Sequence, residues 1–99
     1  MRREKKVALM LKELVEVFAK IENKQEMECF LQGLLTPSEI EEIQGRWLLL
    51  CALLEGNTQR KISEELGISL GKITRGSRLL KYGDENFINI VKRIYEEKS

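Results

Sequence analysis

Residues 58–82 decide the fold, and they read TQRKISEELGISLGKITRGSRLLKY. Thr58 carries the type of side-chain oxygen that caps the start of a helix. Ile62 and Leu66 follow four residues apart, which places them on one face of that helix. We therefore predict a short helix over about residues 59–65.

The second half of this stretch predicts another helix after a tight turn. Gly67 can adopt the positive φ at which helices often end, and Ser69 can cap a helix that begins near Leu70. Ser63 is small at the position where two such helices would approach most closely. The pair would share an apolar core formed by Ile62, Leu66, Ile68 and Ile73. This order of residues predicts a helix-turn-helix that reads DNA.

Positive charge is concentrated in the same stretch. Its six basic residues against two acidic ones give +4, whereas the whole chain carries +1, so the remainder carries −3. The basic residues are Arg60, Lys61, Lys72, Arg75, Arg78 and Lys81, and the acidic ones are Glu64 and Glu65. Such a patch on a nearly neutral body favours a phosphate-binding face. The alternative is a solvated helix surface in a protein that does not bind nucleic acid.

The length and composition indicate one globular domain. The chain has 99 residues, of which 42% are hydrophobic, and a monomer of this size buries only a modest core, so a partner chain would help. The N-terminus has charges embedded in its apolar stretch, and no apolar run reaches the length of a membrane span. We expect a cytoplasmic protein without a membrane segment.

The sequence contains few residues in arrangements that suit catalysis or metal binding. Histidine is absent, which removes the commonest general base and the commonest zinc ligand. Acidic residues occur as adjacent pairs, which point to different parts of a helix surface. Cys29 and Cys51 have no short spacing, so we interpret them as reduced core thiols and set a disulfide aside. We expect no catalytic residue, no metal and no enzyme.

Two helices are predicted before residue 34. Over residues 5–21 apolar residues recur every three or four positions, which predicts an amphipathic helix whose stripe covers something, such as another subunit. The stripe consists of Val7, Leu11, Leu14, Val15, Phe18 and Ile21. Membrane-surface binding is the alternative, but the polar face mixes acids and bases. Asn23 can cap a second helix over about residues 24–32, which Gly33 can end.

A third helix has a strongly marked start. Thr36 can cap it, Pro37 suits the first helical position, and Glu39 completes the pattern of a capping box. The helix runs into WLLLCALL, which is apolar on every side and is therefore expected to be buried all round. One short subunit cannot enclose such a helix, so we infer an intimate dimer. Arg46, at the edge of this run, either extends to water or stacks its guanidinium on a ligand.

The last helix completes the predicted fold. Gly83 interrupts the chain, and Asp84 can cap a helix over about residues 85–96 that we expect to pack on the first and third helices. No strand pattern or repeat competes, so the sequence predicts six helices and an all-α fold. Within a single domain covering residues 1–99, residues 1–57 and 83–99 would form the dimerisation core around the helix-turn-helix.

Three motifs resemble the bacterial tryptophan repressor family: LLTPSEIEEIQGR, ALLEGNTQRKISEELG and ITRGSRLLK. The resemblance is strong over about residues 34–82 and extends to the flanks only as a helix pattern. EGNT and the KYGD ending look like the tryptophan-repressor-like proteins whose effector is not established. The resemblance implies an intertwined, six-helix homodimer whose two helix-turn-helix motifs bind successive major grooves of a palindromic operator.

The resemblance also implies L-tryptophan as corepressor, with no other cofactor. By position, Arg46 and Arg75 would sandwich the indole ring, which suits cation–π contacts. Arg75 and the Thr36 region would bind the carboxylate, and main-chain carbonyls near Gly33 and Leu35 would bind the ammonium. Gly76 and Leu79 complete the set of tryptophan-binding residues.

Two positions depart from the family pattern. Leu79 replaces a serine whose hydroxyl helps to hold the ammonium, and Gly33 replaces a bulkier apolar residue of the pocket wall. Losing one polar partner of a buried charge costs on the order of 1–3 kcal/mol. We therefore expect these departures to weaken or alter tryptophan binding.

For DNA, the N-terminal turn of the second helix of the motif is expected to face base edges. These residues are Ser69, Leu70, Gly71 and Lys72, with Thr74 nearby. Gly71 admits close approach or a bridging water, and Lys72 can donate to guanine. The residues expected to contact phosphates are Gln59, Arg60, Ser77 and Lys81.

Three functional hypotheses follow. The first is a tryptophan-responsive repressor of tryptophan biosynthesis or uptake genes, acting as a dimer. The second is a DNA-binding regulator of the same fold with another effector or none. The third is an RNA polymerase interaction module, because sigma-factor C-terminal domains also carry ALLEGNT-like segments before a helix-turn-helix; such a module is expected to be a monomer.

Overall fold

The computed structural model describes residues 2–98, and these form six α-helices with no strand among them. In chain order they are α1 (Arg3–Ala19), α2 (Lys24–Leu34), α3 (Pro37–Leu54), α4 (Gln59–Leu66), α5 (Leu70–Tyr82) and α6 (Glu85–Lys98). The predicted all-α fold of six helices is confirmed. The chain divides into two compact units, the first ending at Pro37 and the second beginning at Ser38. No helix in the described part is both long and apolar enough to cross a bilayer.

The first unit contains α1 and α2, which meet through aromatic rings. The rings of Phe18 and Phe30 pack edge to face, with centroids 5.5 Å apart and planes at 87°. Asn23 caps α2 as predicted, because its side-chain oxygen accepts a hydrogen bond from the Glu26 backbone N–H at 2.8 Å. Neither helix has a buried residue. The predicted stripe of α1 therefore lies largely uncovered within one chain.

Two predictions in this unit are wrong. Gly33 does not end α2, because the helix continues through it to Leu34 and Leu35 is the extended residue that terminates it. Glycine ends a helix by adopting a positive φ, which in this chain only Gly56 and Gly67 do among the described residues. Cys29 is exposed rather than part of a core, because α2 buries no side chain. Neither Cys29 nor the half-buried Cys51 forms a disulfide within the part of the chain that the structure describes.

α3 begins at Pro37 as predicted, but it is not buried all round within one chain. Leu49 and Leu50 are buried, whereas the neighbouring Leu48 is 41% exposed. An apolar helix face that one chain leaves in water is what the dimer prediction requires. At the C-terminal end of α3, Gly56 has φ 84°, and the Asn57 side chain donates a hydrogen bond to a carbonyl of the last turns of the helix.

A compact core joins α3 to the two helices of the predicted helix-turn-helix. Leu49, Ile62 and Ile73 form it and are almost completely buried, with Ala52, Leu53 and Ile68 packed around them. The prediction that Ile62, Ile68 and Ile73 share a core is therefore confirmed. Leu66 is the exception, because it is the last residue of α4 and remains exposed.

α6 is capped and anchored as the sequence predicts. The Asp84 carboxylate accepts hydrogen bonds from the backbone N–H groups of Asn86 and Phe87, at 2.7 and 3.3 Å. Val91 is buried, and Tyr95 hydrogen-bonds to Glu55, just beyond α3. Desolvation raises the pKa of the Tyr95 phenol above 10.0, and the negative charge of Glu55 raises it further. The structure shows α6 in contact with α5, and the expected packing of α6 on α1 and α3 stays a prediction.

Candidate functional site

The helix-turn-helix has the local geometry that its sequence predicts. The Thr58 hydroxyl oxygen accepts from the Lys61 N–H at 3.2 Å, and the Ser69 hydroxyl oxygen accepts from the Lys72 N–H at 3.3 Å. Gly67 ends α4 in the left-handed region, at φ 65° and ψ 28°. The half-buried Ser63 hydroxyl donates to the Ile68 carbonyl oxygen at 2.9 Å. Ser63 is therefore not only small enough for the close approach of the two helices but also forms a hydrogen bond across the turn.

The N-terminal turn of α5 is exposed, as a surface that enters a DNA groove has to be. Leu70 is 58% exposed, and no atom lies within 4 Å of a Cβ built on Gly71. The Thr74 hydroxyl bonds to the Leu70 carbonyl oxygen at 2.9 Å and lies 3.5 Å from the Gln59 side-chain oxygen. The structure thus brings the predicted base-reading residues together on one turn, and it uses the hydroxyls of Ser69 and Thr74 to hold that turn.

The residues predicted to contact phosphates lie on α4 and α5. The Arg60 side chain is 90% exposed and pairs with Glu64 at 3.5 Å. Such a pair contributes little and is easily exchanged for a phosphate. Gln59 and Lys81 are exposed, whereas Ser77 is half-buried. Their contacts with DNA stay predictions.

A cavity of about 480 Å³ lies between α3, α5 and α6 in the second unit. This volume is in the range of small-molecule sites, about 300–1,000 Å³. Arg46 of α3 and Arg75 of α5 both line it, so the structure brings together the two guanidinium groups predicted to sandwich a ligand. Its other lining residues are Glu42, Gly45, Trp47, Leu49, Leu50, Ile68, Lys72, Gly76, Leu79 and Phe87.

The cations of this cavity differ in their partners. Arg46 pairs with Glu42, one helical turn earlier, through its Nη2 and the carboxylate Oε1 at 3.0 Å. Their side chains are 72% and 53% exposed, so the pair contributes at most about 1 kcal/mol and can rearrange around a ligand. Arg75 and Lys72 form no ion pair within the part of the chain that the structure describes.

Gly76 and Leu79 occupy the wall of the cavity on α5. Gly76 is buried, and a Cβ at this position would lie 3.0 Å from Cδ2 of Leu49 and 3.4 Å from Cδ1 of Leu53. The absence of a side chain therefore lets α5 approach α3 closely. Leu79 presents a half-exposed apolar side chain, so it offers the cavity no hydrogen-bonding group.

Three predicted ligand residues, Gly33, Leu35 and Thr36, belong to the first unit, at the end of α2 and before α3. Gly33 has open space where a Cβ would be, and Leu35 is half-buried. Their part in ligand binding stays a prediction.

Sequence reasoning missed several residues of the cavity. Trp47 and Phe87 supply aromatic surface, and Glu42 holds the Arg46 guanidinium. Trp47 and Phe87 are forty residues apart in the chain, so periodicity within a helix cannot connect them. Only the spacing of Glu42 and Arg46 at i and i+4 on a helix carried a signal. Among the described residues, no group of His, Cys, Asp or Glu could hold a metal ion.

Comparison with known proteins identifies the family. Residues 10–95 match the family model described as Trp repressor protein. The chain is 42% identical over 77 residues to a Trp operon repressor homolog of Chlamydia trachomatis serovar D, which covers 73% of this chain and 82% of that protein. It is 36% identical over 86 residues to a homolog of Vibrio parahaemolyticus, covering 86% and 84%.

The chain belongs to the Trp repressor family. A putative Trp repressor from Staphylococcus aureus has the same fold, with a TM-score of 0.76 and 30% identity over 95% of this chain and 94% of that one. A Trp repressor family member is a DNA-binding transcriptional repressor, so this chain is a regulator and not an enzyme. Family membership therefore favours the two repressor hypotheses over the hypothesis of an RNA polymerase interaction module.

Proposed function

We propose that this Trp repressor family member binds a palindromic operator as a homodimer, uses L-tryptophan as corepressor, and controls tryptophan biosynthesis or uptake genes in the cytoplasm. The proposed corepressor is supported by one observation: Arg46 and Arg75 line one cavity, whose walls also include Trp47 and Phe87. An electron-rich aromatic ring and a carboxylate are the two groups that such a lining favours.

The expected binding mode follows from the lining. The indole would lie among apolar side chains with a guanidinium on each face, and Arg75 would bind the carboxylate. Because α5 carries both Arg75 and the exposed base-reading turn, a bound ligand would act on the pose of the DNA-reading surface. Ligand shifts the equilibrium toward the DNA-competent pose only by its difference in affinity between the two poses.

The homodimer is supported by the uncovered apolar stripe of α1. Four of its six residues, Val7, Leu11, Leu14 and Val15, are exposed within one chain. A soluble protein rarely leaves so much contiguous apolar surface in water without a partner. Two copies that cover this surface would hold two helix-turn-helix motifs, as a palindromic operator requires.

Calorimetry of L-tryptophan binding tests the corepressor. We expect heat of binding with the wild type and none with Arg46→Ala or Arg75→Ala, because each removes one face of the aromatic cage. Arg78→Ala is the matched control, since Arg78 is an exposed arginine of α5 that does not line the cavity. Absence of heat from folded, ligand-free wild type would remove L-tryptophan from the proposal.

A second candidate is a repressor of the same fold with another effector or none. Leu79 favours it, because this cavity residue cannot bond to the ammonium of an amino acid. Measuring operator binding with and without L-tryptophan separates the two candidates. Unchanged affinity supports the second, and a marked increase supports the first.

A further inference from the structure

Lys72 lies where two predicted functional surfaces meet, one for DNA and one for a ligand. It is the third residue of α5, in the turn expected to face DNA, and it also lines the cavity that holds Arg46 and Arg75. Its backbone N–H is used by the Ser69 cap, whereas its side chain is exposed. The Lys72 side chain therefore lies where it could contact a molecule in the cavity.

The charges of the cavity leave this ammonium without a counter-ion. Three cations and one carboxylate line the space, and the carboxylate, Glu42, is already paired with Arg46 at 3.0 Å. Lys72 and Arg75 make no ion pair with any residue that the structure describes. Two unpaired cations that face one partly apolar space attract an anion more strongly than either does alone.

The other lining residues indicate which kind of anion the cavity would bind. The side chains of Trp47, Leu50, Leu79 and Phe87 are apolar or aromatic, so they offer little to replace the hydration of a small ion. An aromatic ring that bears a carboxylate matches both parts of the lining. Lysine suits the carboxylate because its ammonium has three donors on a flexible stem and can follow the position of the ligand.

We infer that Lys72 is a ligand-binding residue that, together with Arg75, binds the carboxylate of an aromatic acid in this cavity. This inference rests on the proposed function in one respect, since it takes the cavity as the effector site. It does not depend on the ligand being L-tryptophan.

Binding titrations without DNA test the role of Lys72 and keep it apart from any role in DNA binding. The probes are L-tryptophan, indole-3-propionate, which has a carboxylate and no ammonium, and indole, which has neither. At low ionic strength we expect Lys72→Met to weaken binding of a carboxylate probe about three- to fivefold. Indole binding should not change, because it offers Lys72 no charge.

Two further variants show that the effect belongs to the charge at this position. Lys72→Arg should restore affinity for the carboxylate probes, because it keeps the positive charge. Lys92→Met removes an exposed lysine of α6 that does not line the cavity, so it should leave all three affinities unchanged. Raising the salt concentration should reduce the difference between wild type and Lys72→Met.

The outcomes separate this inference from the proposed function. If wild type binds indole-3-propionate in a Lys72-dependent way but does not bind L-tryptophan, the role of Lys72 holds and the tryptophan corepressor fails. If L-tryptophan binds equally well to wild type and Lys72→Met, the corepressor holds and the role of Lys72 is overturned. An equal loss of indole binding in Lys72→Met would show a structural effect and overturn it as well, as would binding of neither acid to the wild type.

Discussion

α1 and α5 are both amphipathic helices, yet within one chain only α5 of the two has buried residues. Ile73 of α5 is fully enclosed by side chains of α3 and α4 from the same chain. Leu14 of α1 is 46% exposed, and α1 has no buried residue. The helix-turn-helix therefore carries its own core, whereas α1 leaves its apolar stripe largely exposed within one chain. Four predictions test this contrast, in order of expected effect.

The largest effect is expected on α1 itself. Leu14→Asp places a charge in the apolar stripe, and an unpaired charge enclosed between subunits costs several kcal/mol. We expect this variant to sediment with the mass of one chain where the wild type sediments with the mass of two.

The control for this prediction is Glu13→Lys, which reverses a charge at an exposed position outside the stripe and should leave the mass unchanged. A Leu14→Asp chain that retains the mass of two would show that α1 does not form the interface.

Removing the centre of the helix-turn-helix core should have the next largest effect. Ile73→Ala deletes buried methyl and methylene groups and leaves a cavity, so we expect the free energy of unfolding to fall by about 2–5 kcal/mol in urea titration. The matched control is Leu70→Ala on the exposed turn of α5, which should change it by no more than about 0.5 kcal/mol. Similar losses in both variants would contradict the burial of Ile73.

Two glycines in the helix-turn-helix should respond in opposite directions to the same substitution. Gly67→Ala forces a Cβ into the left-handed region, so we expect a loss of about 1–2 kcal/mol. Gly71 lies in α5 with open space where a Cβ would be. We therefore expect Gly71→Ala to raise the free energy of unfolding by roughly 0.5–1 kcal/mol, because alanine has the higher helix propensity. Thermal unfolding of the two variants measures the difference, and shifts of the same sign would contradict the turn geometry.

The smallest effect is expected from Tyr95 at alkaline pH. Partial desolvation and the Glu55 charge raise its pKa above 10.0 in the folded chain. Because the folded state holds this proton more tightly than the unfolded state, the Tyr95 contribution to stability is complete below pH 10 and decreases as the pH rises through the folded pKa.

Absorbance of tyrosinate in a Tyr82→Phe background, where Tyr95 is the remaining tyrosine, measures this titration directly. We expect Glu55→Gln to lower the Tyr95 pKa, because it removes the neighbouring negative charge. An unchanged titration in Glu55→Gln would exclude that carboxylate as a cause.

Caps and turns were the most predictable features of this fold. Thr58, Ser69, Asn23 and Asp84 all accept the backbone hydrogen bonds expected from their positions, and Gly67 has the positive φ assigned to it. These features depend on residues within four positions of one another, so the sequence contains the whole interaction. Gly33 shows the limit, because a glycine permits a helix to end but does not require it.

Burial was less predictable than secondary structure. Leu66 and Cys29 have apolar neighbours in the sequence, yet both are exposed, because one ends its helix and the other lies on a helix without buried positions. The assignment of Arg46 and Arg75 to one ligand site came from a family resemblance, and the structure places both residues on one cavity. Their roles in binding stay predictions.

By itself, the sequence determined the six helices, their caps and the helix-turn-helix, because those features follow from residue types a few positions apart. Only the tertiary structure decided that Trp47, Lys72 and Phe87 share a cavity with the two arginines, and that Gly76 lets α5 approach α3. The physical reason is that these contacts join residues far apart in the chain, and their geometry depends on how whole helices pack rather than on any local pattern.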